Sequence, residues 1–335
     1  KVYRLKVWRL PEGGPTTRGR PIVNLLPALD QGETIAAVLP LPEDEDSWGA
    51  LHVMFATARG NVRRNAMDAF TNVPSNGKLA MRFEDGSADT LIGVALVEAG
   101  DDVLLATRDG KAIRFSAEEV REFQSRTSTG VRGMTLRGGD QVVSLSILRG
   151  AEGDAEQREA YLRVAPWKAE EDAAELSDVH VEMAANEQFI LTVCANGYGK
   201  LSSAYEYRRT GRGGQGIVNI DNIRRNGPVV ASFAATKEAQ LMLVTDQAKL
   251  IRIGLDSLRV IGRNSAGVRL FDVAKNEHVV SAVRIDEQEA PENEAEEAIL
   301  EEMIARSTSE TAPETTIDRD NPVEDEDAPG ESDEA

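Results

Sequence analysis

The run RTSTGVRGMTL, Arg126 to Leu136, returns twice along the chain, as RGGQGIVNI from Arg212 and as RNSAGVRL from Arg263. Each copy sets an Arg four residues ahead of a Gly that opens a short β-rich run. GKLAMRF from Gly77 and GRPIVNLL from Gly19 are looser copies without the upstream Arg. Aliphatic and β-branched runs of this length favour strands, and a Gly at their head supplies backbone freedom.

The same order of runs recurs around each copy. LHVMFATARGNVRRN from Leu51, the Gly77 run and LIGVALV from Leu91 make one unit. The next has VLLATRDGKAIRF from Val103, the Arg126 motif and VVSLSIL from Val142. Then come ILTVCANGYGKLSS from Ile190, the Arg212 motif and VVASFAA from Val229, and finally LMLVTDQAKLIRI from Leu241, the Arg263 motif and VVSAVRI from Val279. Ahead of these, Val2–Leu10, RGRPIVNLL from Arg18 and TIAAVLPL (Thr34–Leu41) read as a first unit whose opening strand would precede Lys1. Gly60 to Gly110 is 50 residues and Lys200 to Lys249 is 49, so the period is near 50. A repeat of that length with several short strands predicts an all-β fold, a propeller-like closed array of blades with about five units present. Asp109-Gly110 and Asn196-Gly197 are placed as hairpin turns, and SAEEVREF from Ser116 as a single helical turn.

Charge is segregated along the chain. The net charge is -19, but residues 286–335 hold 20 acidic and two basic side chains, and residues 151–188 hold 11 acidic and three basic. The remaining body has 26 acidic against 33 basic residues. Residues 1–285 are therefore read as the β domain, 151–187 as an acidic, partly helical and mobile insert between blades, and 286–335 as a disordered acidic tail.

Several function classes are set aside. No apolar run approaches 18 residues and there is no apolar leader, so neither a membrane span nor a secretory signal is expected. The single cysteine, Cys194, reads as a buried strand residue in a reducing compartment. GRGGQG at Gly211–Gly216 matches GxGxxG, but a dinucleotide site needs that loop before a helix, and IVNI follows it. His52, His180 and His278 are isolated and lack metal-ligand spacing.

Periodic positive charge remains. Lys1, Lys111, Lys200 and Lys249 are aligned just after the hairpin turns, and three residues further lie Arg4, Arg114, Ser203 and Arg252, with Arg64 in the same place in the second unit. A second set is Arg126, Arg212 and Arg263, joined by Arg132 and Arg269 after the glycine, with Arg18, Arg20 and Lys78 as looser counterparts. A closed array places equivalent residues at equivalent points of its rim, so these cations are expected to form a belt. Such a belt suits a polyanion, with phosphate contacts supplying affinity without base readout.

RGRPIVNLLP from Arg18, TGVRGMTL from Thr129, NGYGK from Asn196 and VIGRNSAGVRL from Val260 together resemble the C-terminal domain of the bacterial DNA gyrase A polypeptide, over nearly all of residues 1–285. The resemblance implies a six-bladed β-pinwheel that bends and wraps double-stranded DNA around its basic perimeter, in the service of ATP-dependent negative supercoiling in the bacterial cytoplasm. It also implies a non-catalytic role within a type II DNA topoisomerase. The family's strand-cleaving tyrosine lies in an N-terminal core and its ATPase in the separate gyrase B polypeptide, within an assembly of two A and two B polypeptides that uses ATP and Mg elsewhere. None of Tyr3, Tyr161, Tyr198, Tyr205 or Tyr207 is then expected to be a nucleophile. The family's Gln-Arg-Arg-Gly-Gly-Lys-Gly box belongs to its first blade and does not occur in this sequence; YRRTGRGGQG from Tyr207 is similar to it and adds Arg208 and Arg209 to the expected DNA contacts. The acidic tail resembles tails that compete with DNA for the basic surface. The corresponding domain of topoisomerase IV is the nearer alternative, and a propeller-like scaffold for an acidic protein partner the farther one.

Overall fold

A computed structural model of the chain describes residues 1–13, 19–26, 29, 33–83, 86–150, 154–168 and 177–285. Among these residues the strands fall into four small antiparallel sheets, one for each complete unit. The second unit supplies β1 (His52–Thr57), β2 (Asn61–Ala66) and β3 (Leu91–Val97). The third supplies β4 (Asp102–Thr107), β5 (Lys111–Ser116), the two-residue β6 (Val131–Arg132) and β7 (Val142–Leu148). The fourth and fifth repeat the pattern with β8 (Phe189–Cys194), β9 (Tyr198–Ser203), β10 (Ile217–Val218), β11 (Val229–Ala235), then β12 (Gln240–Thr245), β13 (Leu250–Gly254), β14 (Val268–Arg269) and β15 (Val279–Ile285).

Local chemistry fixes each hairpin. Thr57, Thr107 and Thr245 end the opening strands, and their hydroxyls accept from the N–H groups of Asn61, Lys111 and Lys249 at 3.2, 3.1 and 3.2 Å. Gly60, Gly110 and Gly197 take φ of +81, +85 and +79°, the left-handed conformation that glycine adopts without penalty. Cys194 occupies the Thr position in the fourth unit and is fully buried.

The short strands after the repeated glycine do not stay in their own sheet. β6 pairs with β2, β10 with β5 and β14 with β9, so each unit donates a two-residue fourth strand to the unit before it. The donation explains the glycine. A Cβ on Gly130, Gly216 or Gly267 would sit 2.2, 2.4 or 2.6 Å from the carbonyl oxygen of Val62, Ala112 or Gly199 in the preceding unit. At the other side of each sheet, neighbouring closing strands lie against one another: Ser144 Oγ donates to Ser232 O at 2.6 Å and Ser146 Oγ accepts from Ala234 N at 3.0 Å. The apolar cores fill the spaces between successive sheets, with Met54, Val103, Leu105, Phe115 and Met134 in one and Leu191, Leu201, Leu241, Leu243 and Leu255 in another.

Two expectations are corrected. The first unit forms no sheet among the described residues; it contributes the bridge between Val2 and Lys78, and Thr34–Leu41 is not a strand. Every other closing strand pairs with the opening strand of its own unit, and Thr34–Leu41 makes no such pairing among the described residues. The described residues of the insert, 154–168 and 177–187, pack against the fourth unit. The insert's helices α1 (Ala155–Val164) and α2 (Asp178–Ala185) enclose Tyr161 and Met183 against Tyr205 of the fourth unit, with the two tyrosine rings 5.2 Å apart edge to face. An Asp154/Gln157 capping box starts α1, and Pro166 follows its end. Finally, Lys200 is not equivalent to Lys111 and Lys249. Register pairs Ala56 with Val62, Ala106 with Ala112, Val193 with Gly199 and Val244 with Leu250, which places Tyr198 in the lysine position and Lys200 in the place of Arg63 and Ile113. Leu201, not Ser203, then corresponds to Arg64, Arg114 and Arg252. Residues 286–335, Arg18, 151–153 and 169–176 lie outside the described residues.

Candidate nucleic-acid interface

The cations separate into two populations. One population is engaged in contacts within the protein, although Arg209 and Arg212 in it are themselves exposed. Lys200 is 1% exposed, and its Nζ donates to the carbonyls of Gly262, Arg263 and Ser265. Burial pulls its pKa down to about 7. Arg63, to which the sequence reading assigns no role, occupies the same register position: fully buried, it donates to Ser128 O at 2.6 Å and Asn65 Oδ1 at 2.9 Å. Both hold the glycine loop of the next unit.

Arg212 and Arg263 act as staples between units. Arg212 donates through Nε to Glu119 O at 3.0 Å and through Nη1 to Arg132 O at 3.0 Å, while its N–H reaches the Glu119 carboxylate at 2.9 Å. Arg263 repeats this on Glu206 O, Val218 O and the Glu206 carboxylate. Arg114 is buried with Asp102, and Arg209 is ion-paired to the same carboxylate at 2.7 Å. Lys78 donates to Ala69 O and Asn72 O, and Arg4 is held by Glu45, Thr71 O and the Trp48 ring. Arg64 and Arg126 are half-buried.

The second population faces solvent. Arg20, Lys111, Arg132, Arg208, Lys249, Arg252 and Arg269 are exposed. Lys249 is paired at 2.7 Å with Glu277, whose carboxyl the hydrogen bonds from Lys249, Thr245 and the Ala274 N–H pull down to about 2. Arg252 reaches Gln240. Arg269 donates to the Tyr198 hydroxyl at 2.9 Å and pairs with Asp272, contacts that push its pKa upward. Arg59, Arg108, Arg137, Arg224, Arg225 and Lys275 are exposed as well, in the hairpin turns and in the loops that follow the donated strands. Their spacing varies from unit to unit, which hides them from a periodic reading; their common signal is a cation next to a turn glycine or just beyond the donated strand.

The arrangement places donated strands and hairpin turns together. Arg132 is opposite Asn61, Val218 opposite Lys111 and Arg269 opposite Tyr198. One cation at least therefore occurs at this edge in three successive sheets. The insert joins β7 to β8 at the opposite ends of the strands, away from the turns. Among the described residues no three His, Cys, Asp or Glu side chains gather as a metal site; His52 pairs with Glu122 at 3.1 Å and His278 with Asp246 at 3.2 Å. Burial pushes the phenols of Tyr161 and Tyr207 upward and the Cys194 thiol up to about 12. No helix among the described residues is long and apolar enough to cross a membrane.

Comparison with known proteins agrees with this geometry. The family described as DNA gyrase C-terminal domain, beta-propeller, matches residues 1–42, 51–98, 101–149, 188–235 and 239–286, one segment per unit. The DNA gyrase A polypeptide of Granulibacter bethesdensis is 46% identical over 324 residues, covering 89% of this chain and 34% of the relative. Its Rickettsia bellii counterpart is 43% identical, over 92% of this chain and 35% of the relative. The chain thus spans about a third of the length of these relatives. Among solved structures, the C-terminal domain of DNA topoisomerase IV superposes with a TM-score of 0.62 at 20% identity, covering 85% of this chain and 75% of that one. A DNA gyrase A C-terminal domain gives 0.54 at 19%, covering 76% and 75%. The two structures speak to the fold alone, whereas the family match runs through every repeat unit: this chain belongs to the DNA gyrase C-terminal domain family of β-propellers.

Proposed function

We propose that this chain binds double-stranded DNA along the edge built from the hairpin turns and donated strands, without reading base sequence, and bends the duplex as successive sheets take hold of successive phosphates. The observation that carries the reading is that the same cross-strand pair, between hairpin strand and donated strand, holds an exposed cation on one side or the other in three successive sheets: Arg132 and Arg269 on the donated strand, Lys111 on the hairpin strand. Lys200, Arg63, Arg114, Arg212 and Arg263 serve this function indirectly, by holding the sheets and loops in place. Within the larger protein the domain supplies wrapped DNA for negative supercoiling, in a two-A, two-B assembly of the bacterial cytoplasm whose cleavage and ATP chemistry reside outside this chain. The acidic residues 286–335 compete with DNA for the same cations.

The test is binding of the chain to a duplex of about 40 base pairs with fluorophores at its ends, over a salt series. Six to ten phosphate contacts predict an affinity that falls by about 10³–10⁵ between 50 and 200 mM salt. Bending by 40–90° costs roughly 1–6 kcal/mol, within what such contacts can offset, and draws the ends together. Salt-independent binding, or none at low salt, overturns the proposal in favour of a protein scaffold. Removing residues 286–335 should tighten binding at low salt.

A further inference from the structure

One site on the edge is built differently from the others. At the position held by Asn61, Lys111 and Lys249 in the other units, the fourth unit has Tyr198. Two guanidinium groups stand over its ring, Arg225 at 5.0 Å and Arg269 at 5.4 Å from the centroid. Its hydroxyl also accepts from Arg269 Nη2 at 2.9 Å. The two arginines come from different places, Arg269 from the strand donated by the fifth unit and Arg225 from the loop after β10. Asn196, in the hairpin turn, fixes that loop by donating to Arg225 O at 2.9 Å. Two like charges are thereby gathered around one aromatic ring. Nothing in the fold requires this, since Asn61 and Lys111 occupy the same position in intact sheets.

We infer that Tyr198 is a positioning residue for DNA. It holds Arg225 and Arg269 in place before DNA arrives, so that both engage neighbouring phosphates with little further loss of side-chain freedom. Long cationic side chains lose rotamer freedom when immobilised, and an aromatic platform lowers that cost in advance. Asp272 is the built-in competitor. It pairs with Arg269 but is itself 80% exposed, and an exposed pair of this kind is weak enough to yield to a phosphate. The fourth unit's edge is therefore the segment that grips DNA most firmly. This inference rests on the proposed DNA-binding function.

The experiment compares the full chain with Tyr198→Phe, Tyr198→Leu and Asp272→Asn, using the labelled duplex and salt series together with thermal melting. Tyr198→Phe keeps the ring and should lose about twofold in affinity, while Tyr198→Leu should lose about fivefold or more. In Tyr198→Leu the slope of log affinity against log salt should shrink by about one phosphate contact, roughly 0.9. Asp272→Asn should bind about threefold more tightly. A Tyr198→Leu protein that melts like the parent and binds with the parent's affinity and slope overturns the inference. Failure of the parent itself to bind DNA overturns the proposed function instead, and the two failures are distinct. If Tyr198→Leu melts early, Asp272→Asn decides alone: unchanged affinity there counts against an Arg269 poised for phosphate.

Discussion

Arg114 Nε donates to Asp102 Oδ2 at 2.7 Å, with the two side chains 3% and 0% exposed, and Asp102 Oδ1 lies 2.7 Å from Arg209 of the following unit. The pair closes the end of the β4–β5 hairpin and ties it forward, since Arg114 also donates to Ala204 O at 3.0 Å. Burial lowers the Arg114 pKa, and the neighbouring carboxylate works against that shift. Breaking a buried pair strands a charge, so Asp102→Ala should destabilise the domain by about 3–5 kcal/mol. An Asp102→Leu, Arg114→Met double variant should recover most of the loss. Urea unfolding of the three proteins checks both statements.

Lys200 makes stability depend on pH. Its folded pKa, about 7, lies below its ordinary value of 10.5 because burial disfavours the charge. Between those values the unfolded chain binds more protons than the folded one, so stability rises with pH, by up to roughly 1.4 kcal/mol per pH unit. Cys194 opposes this above pH 9. Its thiol is raised from 9.0 to about 12, so there the folded state holds the extra proton and stability falls as pH rises. The rise should therefore be seen between pH 7 and 9 in melting curves. Lys200→Met should flatten it.

The place of Lys200 shows what the sequence carries and what it hides. The closing runs VVSLSIL, VVASFAA and VVSAVRI are whole strands in the structure, because β-branched runs bounded by turn residues need no distant partner to be recognised. Strand donation leaves no such trace. A two-residue pairing such as Val131–Arg132 with Asn61–Val62 has no period, and its sign in the sequence is only a glycine that must clear a backbone carbonyl. In NGYGK two glycines compete for the turn, and aligning the lysines selects Gly199, whereas the left-handed residue is Gly197. The offset is two residues, so Lys200 stays on the same strand face but moves from the turn-end position of Lys111 and Tyr198 to the interior position of Arg63 and Ile113, where the side chain is buried.

Glu187 is the tie that docks the insert. It accepts from the Tyr161 hydroxyl at 2.5 Å and from Trp167 Nε1 at 2.9 and 3.0 Å, beside the Tyr161–Tyr205 contact. Glu187→Ala leaves two aromatic donors without their acceptor, a cost of about 1–3 kcal/mol each where they stay buried. The sheets do not depend on those bonds. Limited proteolysis should then cut within residues 154–187 while the four sheets resist, and Trp167 fluorescence should shift as the ring becomes solvated.

Gly130 tests strand donation itself. Its φ is +99°, and a Cβ would meet Val62 O at 2.2 Å, a backbone atom that cannot turn aside. Gly138 also has positive φ, +60°, but nothing lies within 4 Å of its missing Cβ. Gly138→Ala should therefore cost only the left-handed backbone term, roughly 1–2 kcal/mol. Gly130→Ala should cost clearly more, and hydrogen exchange should show Asn61 and Val62 losing protection as β6 leaves the sheet. Equal losses for the two variants would mean that the donated strand contributes little.

Arg263 and Arg132 separate cations that build the domain from cations that face its partner. The Arg263 guanidinium donates to carbonyls of Glu206 and Val218, so Arg263→Ala leaves half-buried acceptors unpaired between two units and should cost about 2 kcal/mol of stability. The Arg132 side chain is exposed on a donated strand, and Arg132→Ala should change stability by no more than about 0.5 kcal/mol. On DNA the order reverses. Arg132→Ala should weaken binding several-fold and reduce the salt slope by about 0.9, as expected when one phosphate contact is removed. If the edge cations merely solubilised a β-rich surface, Arg132→Ala would leave both affinity and slope where they were. The decisive comparison is therefore one melting curve and one salt series for each variant, read side by side.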